Sequence, residues 1–153
     1  RKETEADAVK IAAVAIVVWI GTYADQGMDQ VYSSYVLDRF SESNVRDLIG
    51  TKSLYVAETD FGICGFAVVG ARIDSKCEIE TMYVLNRFHG KGIGRGLLKA
   101  ISRDLAGPFW LKCAEYIPKA LPFYRHNGFA DAGVVNFVLD GKDYPCVVLN
   151  KIT

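Results

Sequence analysis

Residues 82–101, Met-Tyr-Val-Leu-Asn-Arg-Phe-His-Gly-Lys-Gly-Ile-Gly-Arg-Gly-Leu-Leu-Lys-Ala-Ile, constrain this chain more than any other segment. A β-like run ends in glycines at alternate positions (Gly90, Gly92, Gly94 and Gly96), and the apolar period then changes. Ile93, Leu97, Leu98, Ile101 and Leu105 fall on one face of a helix. The first turn of such a helix leaves its N–H groups without intrahelical partners and carries about half a positive charge. Gly90, Gly92 and Gly94 remove the Cβ atoms that would hold a phosphate away from those N–H groups, and Lys91 and Arg95 add cations beside them. The pattern reads as a cradle for a pyrophosphate. It is not a P-loop, which needs Ser or Thr after Gly-Lys, where this chain has Gly92. It is not a dinucleotide fingerprint either: the third glycine position falls on Arg95 counted from Gly90, and on Leu97 counted from Gly92.

What precedes the loop narrows the fold. Leu54–Ala57, Ile63–Ile73 and Cys77–Leu85 are β-like runs joined by the short turns 59–62 and 74–76. Turns this short force an antiparallel meander. Upstream, Thr4 and Asp7 cap an apolar helix stopped by Gly21, residues 29–40 form a second helix, and Ser41–Asn44 caps a third at Val45–Ile49, closed by Gly50. Downstream come a strand at Phe109–Cys113, a helix from about Ile117 to His126 with Pro118 in its first turn and Gly128 as its stop, and a hairpin pairing Val134–Leu139 with Tyr144–Leu149. The expectation is one mixed α/β domain over residues 1–153, with a central, mostly antiparallel twisted sheet flanked by helices.

Composition excludes several classes. Eighteen Lys+Arg against eighteen Asp+Glu is no basic excess, which argues against a general nucleic-acid partner. Cys64, Cys77, Cys113 and Cys146 are far apart and only two histidines are present, so no metal site is expected. All four cysteines lie in apolar runs, which predicts reduced core thiols and a cytoplasmic protein. The most apolar run, IAAVAIVVWI at Ile11–Ile20, is half of the roughly 20 residues that span a bilayer, and it is preceded by Glu3, Glu5 and Asp7; it reads as a buried helix, with no membrane partner. Trp19 and Trp110 read as core.

Two segments together resemble the GCN5-related N-acetyltransferases (GNAT). Their acetyl-CoA loop, Gln/Arg-x-x-Gly-x-Gly/Ala between a strand and a helix, is matched by His89–Gly90–Lys91–Gly92–Ile93–Gly94, with His at the first position. Their A-x-x-F-Y-x-x-x-G-F signature is matched by Ala120, Phe123, Tyr124, Gly128 and Phe129. A frequent Asn three positions before the Ala is Ile117 here, which removes one side-chain contact to the pantetheine arm and leaves the loop intact. The resemblance runs from about Leu54 to the C-terminus and implies a GNAT-like acyl-CoA N-acyltransferase fold with acetyl-CoA as co-substrate. It implies that Met82, Tyr83 and Val84 pair main-chain groups with the pantetheine, that His89, Gly90, Lys91, Gly92, Ile93, Gly94 and Arg95 hold the pyrophosphate, and that Tyr124 stands by the thioester sulfur. It leaves a homodimer open.

The implied chemistry is transfer of acetyl to a primary amine by direct attack in a ternary complex. A lysine-like amine with a pKa of about 10.4 is neutral in roughly one molecule in 2,500 at pH 7, so a base is needed. Glu78 and Glu80 share a strand face with Met82 and Val84 and are the candidate bases, Glu78 lying nearer the family's position. His89 belongs to the loop and His126 to a helix end. Asp25, Asp29 and Asp38 suit a cationic acceptor, and the segment around Trp19, Thr22 and Tyr23 is faintly similar to bacterial polyamine acetyltransferases. A protein-lysine or N-terminal acceptor, and a non-catalytic acyl-CoA-binding module, are the alternatives.

Overall fold

The computed structural model describes residues 1–152. Six strands, β1 (Ser53–Thr59), β2 (Gly62–Val69), β3 (Cys77–Val84), β4 (Phe109–Ala114), β5 (Ala130–Leu139) and β6 (Lys142–Lys151), are hydrogen-bonded in the order β1-β2-β3-β4-β6-β5. The helices flanking this sheet are α1 (Ala8–Tyr23), α2 (Gln30–Arg39), α3 (Glu42–Thr51), α4 (Ile93–Asp104) and α5 (Ala120–His126). Gly70 N donates to Glu78 O and Leu85 N to Cys64 O, so β2 and β3 run antiparallel. Among the described residues β3–β4 is the one parallel pair, and the mostly antiparallel α/β sheet read from the sequence is the sheet found.

The chain forms two compact units: Arg1–Val69 with Thr81–Leu105, and Gly70–Glu80 with the chain from Ala106 onward. In the first, Leu54, Val56, Phe66 and Val68 join Ile11, Ala15, Trp19, Val36, Phe40 and Val45 in one core, while α4 packs on β1 and β2 through Leu97, Leu98 and Ile101. Each Val, Leu, Ile or Phe side chain among these contributes roughly 1.5–3 kcal/mol on burial. Covered by helices on both faces, β2 is buried from Ile63 to Val69, which is why it reads as an unbroken apolar run. In the second unit β4 pairs antiparallel with β6, and β6 with β5 around the turn Asp140–Gly141, whose φ values of +51° and +73° are those of a tight hairpin.

Several boundaries differ from the sequence reading. Gly21 and Gly50 lie inside α1 and α3, because tertiary packing carries both helices past a residue that costs only about 1 kcal/mol. The run 63–73 divides: β2 stops at Val69, and residues 70–76 form a loop that turns through Asp74 and Ser75 at φ +48° and +67°. Pro118 precedes α5 rather than opening it, since Ala120 N closes a turn onto Ile117 O. The final strands are longer than the apolar residues alone indicate. Trp110 is half-buried, with Lys112 Nζ 5.5 Å from its ring centre.

The segment Glu5–Tyr23 is long and apolar enough to cross a membrane, with a mean hydropathy of 1.6, although Ile11, Ala12, Val14, Ala15 and Trp19 pack it into the core. The four cysteines are free and buried. Burial pushes the Cys113 thiol up to about 11 and raises Cys64 and Cys146 as well.

Ahead of α1, the buried Asp7 carboxylate accepts from the Arg1 guanidinium at 2.9 and 3.2 Å and from Thr4 N at 2.8 Å. These partners hold its pKa well below the usual carboxylate range. A depressed carboxylate stabilises the fold above its unfolded pKa of about 3.9, and that stabilisation is lost as pH falls. Asp7→Asn is therefore expected to lower unfolding free energy by about 1.5–3 kcal/mol at pH 7, and the gap to wild type narrows below about pH 4. Denaturant titrations at the two pH values check this; a gap that is constant with pH denies the ion pair its role.

Candidate functional site

The segment joining β3 to α4 is built to leave donors open. After Val84 the chain makes a short 3-10 turn at Asn86–Phe88, with Phe88 N on Leu85 O and His89 N on Asn86 O. The His89 N–H is thus committed, and the open run begins after it. His89 Nε2 donates back to Val84 O at 2.8 Å, so the imidazole braces the loop against the strand end. Gly90 and Gly92 follow at φ +73° and +81°, a left-handed geometry that L side chains adopt rarely. No heavy atom lies within 4 Å of where a Cβ would stand at either.

Gly92 caps α4 without a side chain, and the first intrahelical bond returns from Gly96 N to Gly92 O at 2.9 Å. The N–H groups of Ile93, Gly94 and Arg95 therefore have no partner within the helix. Around them the sequence is basic: Arg87, Lys91, Arg95 and Lys99 occur with no Asp or Glu between Leu85 and Ser102, in a chain whose net charge is zero. Lys91 Nζ lies 5.4 Å over the Phe88 ring. Open N–H groups at a helix N-terminus, space in front of glycines and flanking cations fit a diphosphate. Gly90, Lys91, Gly92, Ile93, Gly94 and Arg95 are the residues that could hold such a group.

Leading into this loop, β3 alternates. Cys77, Ile79 and Thr81 are buried, while Glu78, Glu80 and Met82 share the half-buried face. On the neighbouring strand, Gly65 carries no side chain where a Cβ would come 2.9 Å from Tyr83 O and 3.1 Å from Val84 Cγ2. Any larger residue would push β2 off the Tyr83–Val84 segment. Sequence reading missed this position, although a glycine inside an apolar strand run signals close backbone approach. Tyr83 in turn sets its ring edgewise against Phe40 and Phe66, at 5.9 and 5.8 Å.

The two candidate carboxylates have different surroundings. Glu78 Oε1 stands 3.1 Å from Lys112 Nζ on β4, the strand it adjoins through the pair Glu78–Trp110. Glu80 lies over Gly70, its Oε1 2.5 Å from the position of an absent Cβ. Among the described residues, no three His, Cys, Asp or Glu side chains gather as a metal-ligand group.

Tyr124 lies on α5 between two aromatic rings, Phe123 at 5.1 Å and Phe129 at 5.6 Å, both edge-on. Phe129 reaches it because Gly128, at φ +89°, reverses the chain and lets Phe129 N return to Tyr124 O. The spacing F-Y-x-x-x-G-F is thus a helix end that clamps one tyrosine ring. Arg125, next in line, pairs with Asp131 at 2.7 Å. His126 is exposed at the end of α5. On α1 and α2, Trp19 forms the buried centre of an aromatic group with Tyr23, Tyr32 and Tyr35 at 5.0–5.5 Å, and Tyr83 and Leu85 pack on the same core.

A family model described as an acetyltransferase (GNAT) domain matches residues 50–131, more than half of the chain. Among solved structures, the chain is similar to the PaiA N-acetyltransferase of Thermoplasma acidophilum in complex with coenzyme A, at 23% identity and a TM-score of 0.79, covering 100% of this chain and 97% of that one. It is also similar to the ribosomal-protein-alanine N-acetyltransferase of Brucella melitensis, at 22% identity and a TM-score of 0.72 over 100% and 98% of the two chains. A GNAT family acetyltransferase of Elizabethkingia anophelis with acetyl-CoA bound matches at 18% identity and a TM-score of 0.59, over 74% of this chain and 84% of that one. The chain belongs to the GNAT family and is an acetyl-CoA-dependent N-acetyltransferase.

Proposed function

We propose that the protein acts as one acetyltransferase domain that moves the acetyl group of acetyl-CoA to a primary amine by direct attack in a ternary complex. The observation that carries this reading is the open, cation-flanked first turn of α4 directly after β3. Gly90 to Arg95 take the pyrophosphate there, and Met82 to Val84 offer main-chain groups to the pantetheine. The amine must lose a proton before or during attack, and the Glu78–Glu80 face of β3 supplies the acceptor, directly or through water. The β3–β4 ladder consists of Cys77–Phe109 and Glu78–Trp110, and a β3 main-chain N–H beyond it serves the developing oxyanion. Tyr124 donates to the departing sulfur. With pKa values of about 10 for a phenol and 8.5 for a thiol, full proton transfer is uphill by roughly 2 kcal/mol, so a hydrogen bond to the thiolate is the role assigned.

For the acceptor we favour a small cationic amine of the polyamine kind. Asp25 and Asp29 are exposed in the connection between α1 and α2, the two helices that carry the Trp19 aromatic group, and an ammonium group is attracted both to carboxylates and to ring faces. Thiol release from acetyl-CoA, measured against a polyamine, a simple alkylamine, a lysine peptide and a peptide with a free N-terminal alanine, tests the proposal. Turnover highest on the polyamine is expected. Faster turnover on either peptide replaces the acceptor, and no turnover on any amine makes the protein a binder.

A further inference from the structure

We infer that Lys112 is a modification site: the chain acetylates its own Lys112 from bound acetyl-CoA. The inference rests on the reading of the Glu78–Glu80 face as the proton acceptor. Direct attack requires a primary amine within hydrogen-bond distance of that face, and one is already there. Lys112 Nζ stands 3.1 Å from Glu78 Oε1 and 5.5 Å from the centre of the Trp110 ring. The ammonium thus has a carboxylate and an indole as neighbours, the two groups that attract a cationic acceptor. Strand register explains the meeting. Among the described residues, β3 and β4 pair at Cys77–Phe109 and Glu78–Trp110, and β4 continues with β6, where Lys112 lies opposite Val148. Lys112 is two residues past Trp110, so it projects from the same face of β4, and its long side chain reaches back to the glutamate. It is the first side chain of that face beyond the end of the ladder, the end at which a β3 main-chain N–H is assigned to the oxyanion.

The transfer balances without any further reactant. Glu78 takes one proton from the Lys112 ammonium. The nitrogen lone pair attacks the thioester carbon, a C–N bond forms, the C–S bond breaks, and the electron pair leaves on the CoA sulfur. A second nitrogen proton goes to that sulfur and the first leaves Glu78 for water, giving Nε-acetyl-Lys112, CoA and one proton. The Lys112 side chain is 47% exposed, and an ion pair this open is weak, so it places the amine without locking its proton. As part of the chain, the amine needs no binding step of its own. Once acetylated it carries no charge, so the ion pair is lost and Glu78 is released to an external amine. Lys10 provides the contrast. It is more exposed, at 56%, and lies 3.7 Å from Asp7, but the Arg1 guanidinium and Thr4 N already hold that carboxylate. Simple chemical acylation of exposed amines would mark Lys10 at least as readily as Lys112.

Incubation of the purified protein with isotope-labelled acetyl-CoA and no amine, followed by intact-mass measurement and peptide mapping, tests the inference. The wild type is expected to gain one acetyl group at Lys112, at least about tenfold faster than at Lys10 and at a rate per molecule independent of protein concentration. Glu78→Gln keeps the shape of the side chain and is expected to slow marking of Lys112 about 100-fold or more, with Lys10 unchanged. Lys112→Arg keeps the ion pair and is expected to lose the mark, melting curves confirming that both variants are folded. Lys112 marked no faster than Lys10, a rate that rises with protein concentration, or a Glu78→Gln protein marked at the wild-type rate each overturns it. Turnover on an external amine with Lys112 unmarked overturns this inference and leaves the proposed function standing; no transfer to Lys112 or to any amine overturns both.

Discussion

A protein carrying Gly92→Asp keeps its fold and loses the stabilisation that acetyl-CoA gives the wild type. At a hundred times its dissociation constant a ligand raises unfolding free energy by about 2.7 kcal/mol, or about 5–11 °C in melting temperature for a chain of this size. In the free protein the substituted side chain enters open space, and the cost is the left-handed φ of +81°, about 1–3 kcal/mol. Aspartate recovers part of that cost, because a carboxylate at a helix N-terminus is favourable and can accept from the first-turn N–H groups. That compensation is what removes binding: the carboxylate occupies the place of the phosphate and repels it. Gly92→Asn tolerates the same φ without the charge and separates backbone strain from electrostatics. Thermal shift with and without acetyl-CoA is the measurement. An aspartate variant with the wild-type shift would place the cradle elsewhere.

Tyr124→Phe lowers turnover about 10- to 150-fold while acetyl-CoA affinity stays nearly intact. The substitution removes one oxygen and keeps the ring that Phe123 and Phe129 clamp, so the melting temperature should hold. What is lost is a hydrogen bond to a developing thiolate, contributing roughly 1.5–3 kcal/mol in the transition state and little in the ground state. The readout is turnover at saturating amine together with the concentration of acetyl-CoA giving half-maximal rate. A folded variant within about twofold of wild type reduces Tyr124 to packing.

The parts legible in the sequence are those in which neighbours in space are neighbours along the chain. The loop from His89 to Arg95 carries its strand, glycines, cations and helix in one stretch, and Gly128 announces the reversal that brings Phe129 onto Tyr124. Pairings that depend on strand register were not legible. That Lys112 meets Glu78 follows from a parallel ladder between segments more than 30 residues apart, and nothing near either residue signals it. Helix ends were misplaced for a related reason: Gly21 and Gly50 weaken a helix locally, but the packing that carries α1 and α3 beyond them comes from Trp19, Val45 and their distant neighbours. The exposure of β5 on both faces was equally silent, since an alternating apolar strand reads the same whether a core or water lies beside it.

The thiols have a consequence for a protein that handles a thioester. Acetyl-CoA acylates thiolates, and the free CoA released at each turnover exchanges with disulfides. With its thiol near 11, Cys113 is a thiolate in about one molecule in 10,000 at pH 7, some 300-fold less than an ordinary cysteine near 8.5. Cys64 and Cys146 are shifted the same way by burial, and Cys77 is shielded in β3. The enzyme thus works beside a reactive acyl donor with its thiols buried and Cys113 held protonated, an arrangement that leaves the activated acetyl group for the amine.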